Sequence, residues 1–444
     1  MGKQADRQNL SAGKLALLGI QHVFAMFGAT VLVPTLTGLD VATTLLMAGL
    51  GTLLFHWITG GKVPAFLGSS FAFLGGYAAV RTLAEANGVT GTGWIPYACL
   101  GVAVAGLLYV LVSFLFRAFG PSKVMRYFPP IVTGPIIICI GITLASSAVN
   151  NCAANWWIAL LAVVIVIVCN IWGKGMIKII PILLGVVGSY LVAALLGQVD
   201  FTEVREAAWI GFPLKREQTI LGLFSGANGS LIVSALIAMV PIALATMMEH
   251  IGDVCAISST VGENFVENPG LHKTLLGDGL ATTLASICGG PANTTYGENT
   301  GVLALTKVYD PRVIRIAACI AAVLSFCPKF AALVKCMPTA TIGGVSLILY
   351  GMISAVGVRN VVENQVDFTK SRNVIIAALI MSLSLGINFS DAGAIAFQIG
   401  SVTISLSGLA VASLVGVLLN AILPGNDYVF GKSELGDQSV NFKV

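Results

Sequence analysis

Apolar runs of membrane length recur along the whole of this 444-residue chain. Only 10% of the residues are charged and 56% are hydrophobic, a balance typical of membrane proteins rather than soluble enzymes. A helix crosses a bilayer with roughly 17 to 25 residues, and suitable runs lie near 14–36, 40–59, 64–81, 95–117, 128–148, 156–173, 176–196, 229–252, 273–288, 292–308, 313–333, 338–357, 373–389 and 400–423. Because backbone polar groups in hydrocarbon must be paired internally, the pattern predicts an all-α polytopic membrane protein with about fourteen transmembrane segments.

The positive charges predict how these segments are oriented. When the segments alternate sides from an N-terminus inside, most of the 24 Lys and Arg residues fall on the inner side. We therefore expect a multi-pass membrane protein with both termini cytoplasmic and the lipid bilayer as its surroundings. The first apolar run is too long and too glycine-rich for a cleaved signal peptide, and a net charge of +4 requires no nucleic-acid partner.

The nine cysteines lie mostly inside the apolar runs. Their spacing contains no Cys-x-x-Cys pair and no Cys/His cluster. We expect them to be small core residues rather than metal ligands or disulfides.

Residues 289–307, GGPANTTYGENTGVLALTK, interrupt the apolar pattern. Gly289, Gly290 and Pro291 end a helix, since Pro lacks an amide donor and Gly is unfavourable inside a helix. Non-helical backbone persists at membrane depth only inside protein or beside a wet cavity. Broken helices of this kind build the midplane binding sites of many secondary transporters. An anion carrier would need positive charge at the break, and a membrane hydrolase would show metal-ligand or catalytic spacing.

A second break resembles this one in outline. Residues 60–76 also contain a Gly pair, a Pro and a hydroxyl-rich stretch before a Gly and a helix. Coincidence among 50 glycines is the alternative, but a further pair of similar proline-containing helix starts lies at residues 128–134 and 337–344. In each pair the two similar stretches are seven segments apart. Because seven is odd, corresponding segments of the two halves cross the membrane in opposite directions, so the repeat is inverted. We therefore expect two inverted seven-segment repeats.

Glu249 and Asp253 are four residues apart and share one helix face. An ionised carboxylate inside a membrane is costly unless it is paired, so Glu249 is expected to exchange its proton readily. The alternative is that the helix ends here and both acids are wetted at the cytoplasmic edge. Asp278 is predicted to lie at an interfacial helix start. His22, near the middle of the first segment, either bonds a neighbouring helix or contacts a substrate.

Several motifs resemble those of a known family. Residues 298–307, ENTGVLALTK, fit its signature of Gln, Glu or Pro, then Asn, any residue, Gly, four residues, Thr, and Arg, Lys or Gly. QHVFAMFGATVLVP from Gln21, GSSFAF from Gly68, EHIG from Glu249 and TTYGENTGV from Thr294 are similar as well. The chain thus resembles the nucleobase transporters (nucleobase-ascorbate, or nucleobase:cation symporter-2), and among them the bacterial uracil permeases. Glu298 as the first signature residue favours uracil, since xanthine carriers usually have Gln there.

The resemblance implies fourteen segments in two inverted sevens, with short strands in broken segments 3 and 10. Segments 1–4 and 8–11 would form a core domain, at residues 1–127 and 229–335. Segments 5–7 and 12–14 would form a gate domain, at residues 128–199 and 336–424. Residues 200–228 are expected to be an external loop with a short amphipathic helix around 203–209, residues 359–372 an internal loop, and residues 425–444 a cytoplasmic tail.

The resemblance also implies a site. By motif match, the substrate-binding residues are Glu249, Glu298, Phe71, Tyr296, Gly297 and Ala29, and the residues for proton coupling or support of the site are Glu249, Asp253, His22 and Asn299. In the uracil permease pattern EHIG is followed by His, whereas this chain has Asp253. The expected function is import of uracil by proton symport, driven by the proton gradient without a bound cofactor. Xanthine or another nucleobase is the alternative substrate, and a homodimer is compatible with this interpretation.

Overall fold

The computed structural model describes residues 11–428 of the protein and is largely helical. Residues 1–10 and 429–444, which include most of the predicted tail, lie outside the described residues. The helices of the first half are α1 (Ala12–Thr37), α2 (Val41–Ile58), α3 (Leu74–Ala86), α4 (Ile95–Phe119), α5 (Pro121–Met125), α6 (Pro130–Cys152), α7 (Trp156–Ile171), α8 (Met176–Ile179), α9 (Pro181–Leu195) and α10 (Thr202–Glu206). Those of the second half are α11 (Gly229–Met239), α12 (Ile242–Val261), α13 (Leu271–Ile287), α14 (Gly297–Thr306), α15 (Pro311–Leu324), α16 (Pro328–Lys335), α17 (Thr339–Glu363), α18 (Ser371–Asn388) and α19 (Gly408–Ile422). The strands are β1 (Leu67–Ser69), β2 (Asn293–Thr295), β3 (Ala394–Ile399) and β4 (Val402–Ser407).

Capping residues set the boundaries of the first helices. The α1 helix begins after Ser11, whose side chain accepts the Lys14 N–H at 3.4 Å, and it ends at Gly38 with φ +82°. A left-handed residue at this position ends a helix, and glycine adopts that conformation without strain. Asp40 then accepts the Thr43 N–H at 2.9 Å and starts α2. The connection between α1 and α2 is therefore short.

Several helices are long and apolar enough to span a membrane. Among the described residues these are α1, α2, α4, α6, α17, α18 and the continuous pair α11–α12. An eighth span results if α15 and α16, which meet at a 90° bend, are taken together. The helices α7, α9 and α19 are apolar but shorter. The protein is thus a multi-pass membrane protein, while the fourteen-segment inverted repeat stays a prediction.

The two predicted breaks do contain short strands, as expected. In an antiparallel pair, β1 faces β2 with Leu67 opposite Thr295, Gly68 opposite Thr294 and Ser69 opposite Asn293. All six residues are buried. The two interrupted segments therefore meet inside the protein, where their non-helical backbone is shielded from lipid.

Helix packing divides the molecule into two groups of close neighbours. In one group α13 packs against α4 and α2, while α15 packs against α2 and α1. In the other, α17 packs against α6 and α7, and α18 packs against α6 and α19. The groups meet where α12 contacts α6 and α19. This grouping is compatible with the predicted core and gate domains, whose boundaries stay predictions.

The structure rules out one alternative and corrects four expectations. The α12 helix continues to Val261, so neither of its acids marks a helix end. Asp278 is not at a helix start, because α13 begins at Leu271 and buries the Asp278 side chain two turns later. The α10 helix ends at Glu206, earlier than the helix expected around 203–209. The α17 helix extends to Glu363, which shortens the internal loop expected at 359–372. The last apolar run does not begin as a helix, since the β3–β4 hairpin occupies residues 394–407.

Candidate functional site

The candidate site lies where β1 and β2 meet. Past the strands, Ser70 N–H donates to the Ala292 carbonyl at 2.9 Å, and Tyr296 N–H donates to the Phe66 carbonyl at 3.0 Å. The α3 helix starts shortly after β1, and α14 starts two residues after β2. Each half-helix therefore presents an N-terminus, with its free amide donors, near the strand pair.

Small and hydroxyl-bearing residues make this close approach possible. Thr52 Oγ1 accepts the Leu67 N–H at 2.9 Å and donates to the Leu67 carbonyl at 3.2 Å, which fixes β1 against α2. A Cβ atom on Gly68 would lie 2.4 Å from the ring of Tyr296. Only glycine therefore fits at Gly68 without moving the aromatic ring across from it.

Gly297 is the exposed residue at the centre of the site. A Cβ atom added to Gly297 would meet only Asp253 Oδ1, at 3.9 Å, so open space lies above the start of α14. The amides of Gly297 and Phe71 have no hydrogen-bond partner within residues 11–428. Both amides can therefore donate to a carbonyl group of a ligand.

Three carboxyl groups surround this space. Glu249 and Asp253 project from α12, and Glu298 projects from the first turn of α14; all three side chains are half-buried. Glu249 Oε2 is shielded from solvent and has no partner within the described chain. Glu249 lies within electrostatic range of Asp253 and Glu298. The site can therefore accept several hydrogen bonds from a ligand, and it disfavours anions.

The predicted residues Tyr296 and Ala29 lie behind the strands. The Tyr296 hydroxyl donates to the Ser69 carbonyl at 3.0 Å, and Ser69 Oγ donates to the Ala29 carbonyl at 3.3 Å. Both predicted residues are buried. Their observed contacts hold α1 and β1 to β2, while their predicted contact with substrate stays a prediction.

His22 and Asn299 form a pair that joins α1 to α14. The Asn299 Nδ2 group lies 3.0 Å from His22 Nδ1 and donates to the His22 carbonyl at 3.2 Å. Both side chains are about 1% exposed. Of the two interpretations offered for His22, the bond to a neighbouring helix is the one that the observed contacts support.

Phe71 places an aromatic ring between the two helix groups. It packs edge-on against Tyr350 of α17, with ring centroids 5.7 Å apart and planes at 76°. This geometry is favourable for an aromatic pair. The Phe71 ring therefore contacts the second helix group, while the predicted contact of its backbone with substrate stays a prediction.

Sequence reasoning assigned no role at the site to three polar residues that lie behind the acids. Thr295 donates to Asp253 Oδ2 at 2.8 Å, and His250 Nδ1 lies 3.1 Å from Asp278 Oδ2. The available signal was that Asp278 falls inside an apolar run, where ionisable groups usually face the bundle interior. Among the described residues no group of His, Cys, Asp and Glu is arranged to hold a metal ion.

Comparison with known proteins identifies related permeases. A family model described as the permease family, Xan_ur_permease, matches residues 13–393. The uracil permease of Bacillus subtilis (strain 168) is 40% identical over 418 residues, which are 91% of this chain and 91% of that protein. The putative pyrimidine permease RutG of Escherichia coli (strain K12) is 37% identical over 435 residues, 95% of this chain and 92% of that protein.

Solved structures show the same fold. The transmembrane domain of the cyanobacterium bicarbonate transporter BicA matches with a TM-score of 0.63, covering 92% of this chain and 96% of that one. The two sequences are 17% identical. At this identity the likeness concerns the fold and not the transported solute.

Proposed function

Because this chain belongs to the permease family, we propose that it is a secondary transporter that imports uracil together with a proton. It is a membrane transporter rather than an enzyme, as its relatives are. The site residues that carry the proposal are the three acids around the exposed start of α14. Their chemistry suits a neutral donor-rich solute.

The hydrogen-bonding pattern of uracil complements these groups. Uracil is flat and neutral, with N–H donors alternating with C=O acceptors along its edge. Glu249 and Glu298 would accept its N–H groups, and the free amides of Phe71 and Gly297 would donate to its carbonyl oxygens. A buried donor or acceptor left without a partner costs about 1–3 kcal/mol. A base with a different edge would therefore be rejected.

The likeness to a bicarbonate transporter does not extend to the solute. In the shared fold the two half-helix N-termini favour negative charge. Here Glu249, Asp253 and Glu298 lie beside them. Carboxylates beside the binding site repel an anion, so the same fold would carry a neutral ligand in this protein.

A neutral solute needs a coupled charge in order to be concentrated. The proton gradient supplies that charge if a group in the cavity binds a proton and changes its affinity for uracil at the same time. Glu249 meets the geometric requirements, since Oε2 has no partner within the described chain and the side chain faces Asp253 and Glu298. Asp253 would pass protons between Glu249 and the cytoplasm.

Transport would proceed by movement of the core domain, which contains the site, against the gate domain. The Phe71–Tyr350 contact lies at the boundary between them. In this proposal the protein lies in the cytoplasmic membrane with both termini inside, as the distribution of Lys and Arg favours.

Uptake of labelled uracil into proteoliposomes tests the whole proposal. Vesicles with an inward proton gradient should accumulate uracil, and dissipation of the gradient should abolish accumulation. Unlabelled xanthine and other pyrimidines are then added as competitors. Stronger competition by xanthine than by uracil would assign the alternative substrate, and accumulation without a gradient would exclude proton symport.

A further inference from the structure

A buried polar chain lies directly behind the acids of the site. Asp278 of α13 and His250 of α12 are both fully buried, with Asp278 Oδ2 3.1 Å from His250 Nδ1. The same Nδ1 atom lies 3.5 Å from the Thr295 hydroxyl, which donates to Asp253 Oδ2 at 2.8 Å. The chain of contacts therefore runs from α13 through α12 and β2 to the edge of the cavity.

The donors and acceptors in this chain can be assigned from the groups themselves. An ionised Asp253 carboxylate only accepts, so the Thr295 hydroxyl donates to it. The hydroxyl oxygen keeps lone pairs, which face the Nδ1 atom of His250. A carboxylate beside an imidazole nitrogen places the proton on that nitrogen, so Asp278 sets His250 as an Nδ1–H donor. Nδ1 carries only that one proton, which lies between Asp278 Oδ2 at 3.1 Å and the Thr295 oxygen at 3.5 Å. A protonated Nδ1 cannot accept a hydrogen bond from Thr295, so the Thr295 hydroxyl proton is left for Asp253 Oδ2.

The two oxygen atoms of Asp253 have different surroundings. Oδ2 is bound by Thr295, which is the only side chain within residues 11–428 that donates to Asp253. Oδ1 lies on the opposite side, toward the open space above Gly297. The Thr295 bond therefore fixes the carboxylate plane and leaves one oxygen free to meet a proton or a ligand.

We propose that Asp278 and His250 are positioning residues, which orient the Thr295 hydroxyl toward Asp253 Oδ2 and thereby direct Asp253 Oδ1 into the cavity. The inference rests on the proposed function in one respect, since it assumes that Asp253 takes part in the proton step. It also gives a role to a buried carboxylate and imidazole that substrate binding itself does not use. Asp278 Oδ1 and His250 Nε2 have no hydrogen-bond partner within the described residues, and burying such a pair is costly when its polar atoms are not all paired.

Other ionisable groups face this network as well. They are Glu249 on α12, Glu298 on α14 and Tyr109 on α4, whose hydroxyl bonds Thr246 of α12. The turn Val266–Gly270 adds Glu267, which is exposed. The helices α6, α11 and α19 also pack against α12 and contain no charged residue. The effect of a Thr295 substitution on the pH dependence of uptake must therefore be separated from effects of the neighbouring acids.

Thr295→Val supplies the test, with Thr294→Val as its matched control. Thr294 is the adjacent residue of the same strand, is equally buried and has a hydroxyl without a partner in the described chain. Removing a donor from a carboxylate favours its protonated form. Proton-driven uracil uptake by Thr295→Val should therefore have its pH midpoint shifted to higher pH by about half a unit or more. Thr294→Val should retain the wild-type midpoint, and Thr295→Ser should restore it.

Asp278→Asn tests the distant end of the chain. It should shift the midpoint in the same direction, and the double variant with Thr295→Val should shift no further than Thr295→Val alone, because both act through one bond. Uracil binding to purified protein checks that each variant is folded. The inference would be overturned if the pH profile of uptake by Thr295→Val overlaid that of the wild type. It would also be overturned if the midpoint shifts of Thr295→Val and Asp278→Asn added in the double variant. Proteoliposomes with the wild-type protein that show no proton-driven uracil uptake would instead refute the proposed function.

Discussion

The Glu298 carboxylate stands at the first turn of α14, beside the exposed Gly297 amide. Its position places a hydrogen-bond acceptor next to a free donor, which is the alternation that a uracil edge requires. Charge-assisted bonds of this type are stronger than neutral ones. The residue at position 298 should therefore determine the affinity for uracil.

We predict that Glu298→Gln weakens uracil binding by roughly tenfold or more, because the amide offers N–H groups where the ligand also donates. Calorimetric titration of purified protein measures the change. Glu267→Gln is the matched control, since Glu267 is exposed on a turn outside the site. Equal affinities of wild type and Glu298→Gln would remove Glu298 from the binding site.

Glu249 and Asp253 divide the proton step between them in the proposed mechanism. Glu249→Gln should bind uracil more weakly, because Glu249 also accepts a ligand N–H in the proposed site, and should lose accumulation driven by a proton gradient. Asp253→Asn should leave binding largely intact and change the pH dependence of uptake. Counterflow exchange of labelled uracil, measured without a gradient, separates the two steps. Superimposable pH profiles for Asp253→Asn and wild type would mean that protons take another route.

At the level of elements, the β1–β2 pair depends on one close contact. The Tyr296 ring lies over Gly68 and leaves no room for a Cβ atom. Overpacking a buried site of this kind typically costs about 1–3 kcal/mol. The crossing of the two broken segments is therefore sensitive to a single methyl group.

Gly68→Ala should lower thermal stability and weaken uracil binding together, because it separates the strands that position both half-helices. Gly75→Ala is the matched control, since Gly75 is exposed at the start of α3 and a Cβ there meets no atom within 4 Å. Thermal unfolding in detergent, with and without uracil, provides the measurement. If the Gly68→Ala protein were as stable as Gly75→Ala, the strand pair would accommodate the added methyl group and this prediction would be wrong.

The sequence was informative where local chemistry decides structure. Pro291 and the adjacent glycines ended a helix as expected, and the following polar residues formed β2. The β3–β4 hairpin was missed although Ile404–Ser407 alternates apolar and polar residues, which is a strand signal hidden inside an apolar run. The depth of Asp278 and its contact with His250 depend on how α13 packs against α12. Such contacts between distant segments leave no periodic trace in a single sequence.

At the scale of the whole molecule, the β3–β4 hairpin connects the two groups of helices. It joins α18 to α19, yet β4 packs against α11, where Thr403 N–H donates to Ser234 Oγ at 3.0 Å. In the proposed division, Ser234 belongs to the core domain and Thr403 to the gate domain. Transport by relative movement of these domains requires this contact to change.

We therefore predict that linking Ser234→Cys to Thr403→Cys with a short, reducible bifunctional thiol reagent stops uracil uptake while binding persists. Reduction should restore uptake. Ala103→Cys with Thr283→Cys is the matched control, because Thr283 Oγ1 donates to the Ala103 carbonyl at 3.2 Å between two helices of the proposed core. Wild type treated identically accounts for the nine native cysteines. A linked Ser234–Thr403 pair that transports at the control rate would contradict movement of the core against the gate at this contact, since a covalent tether of a few ångströms cannot accommodate it.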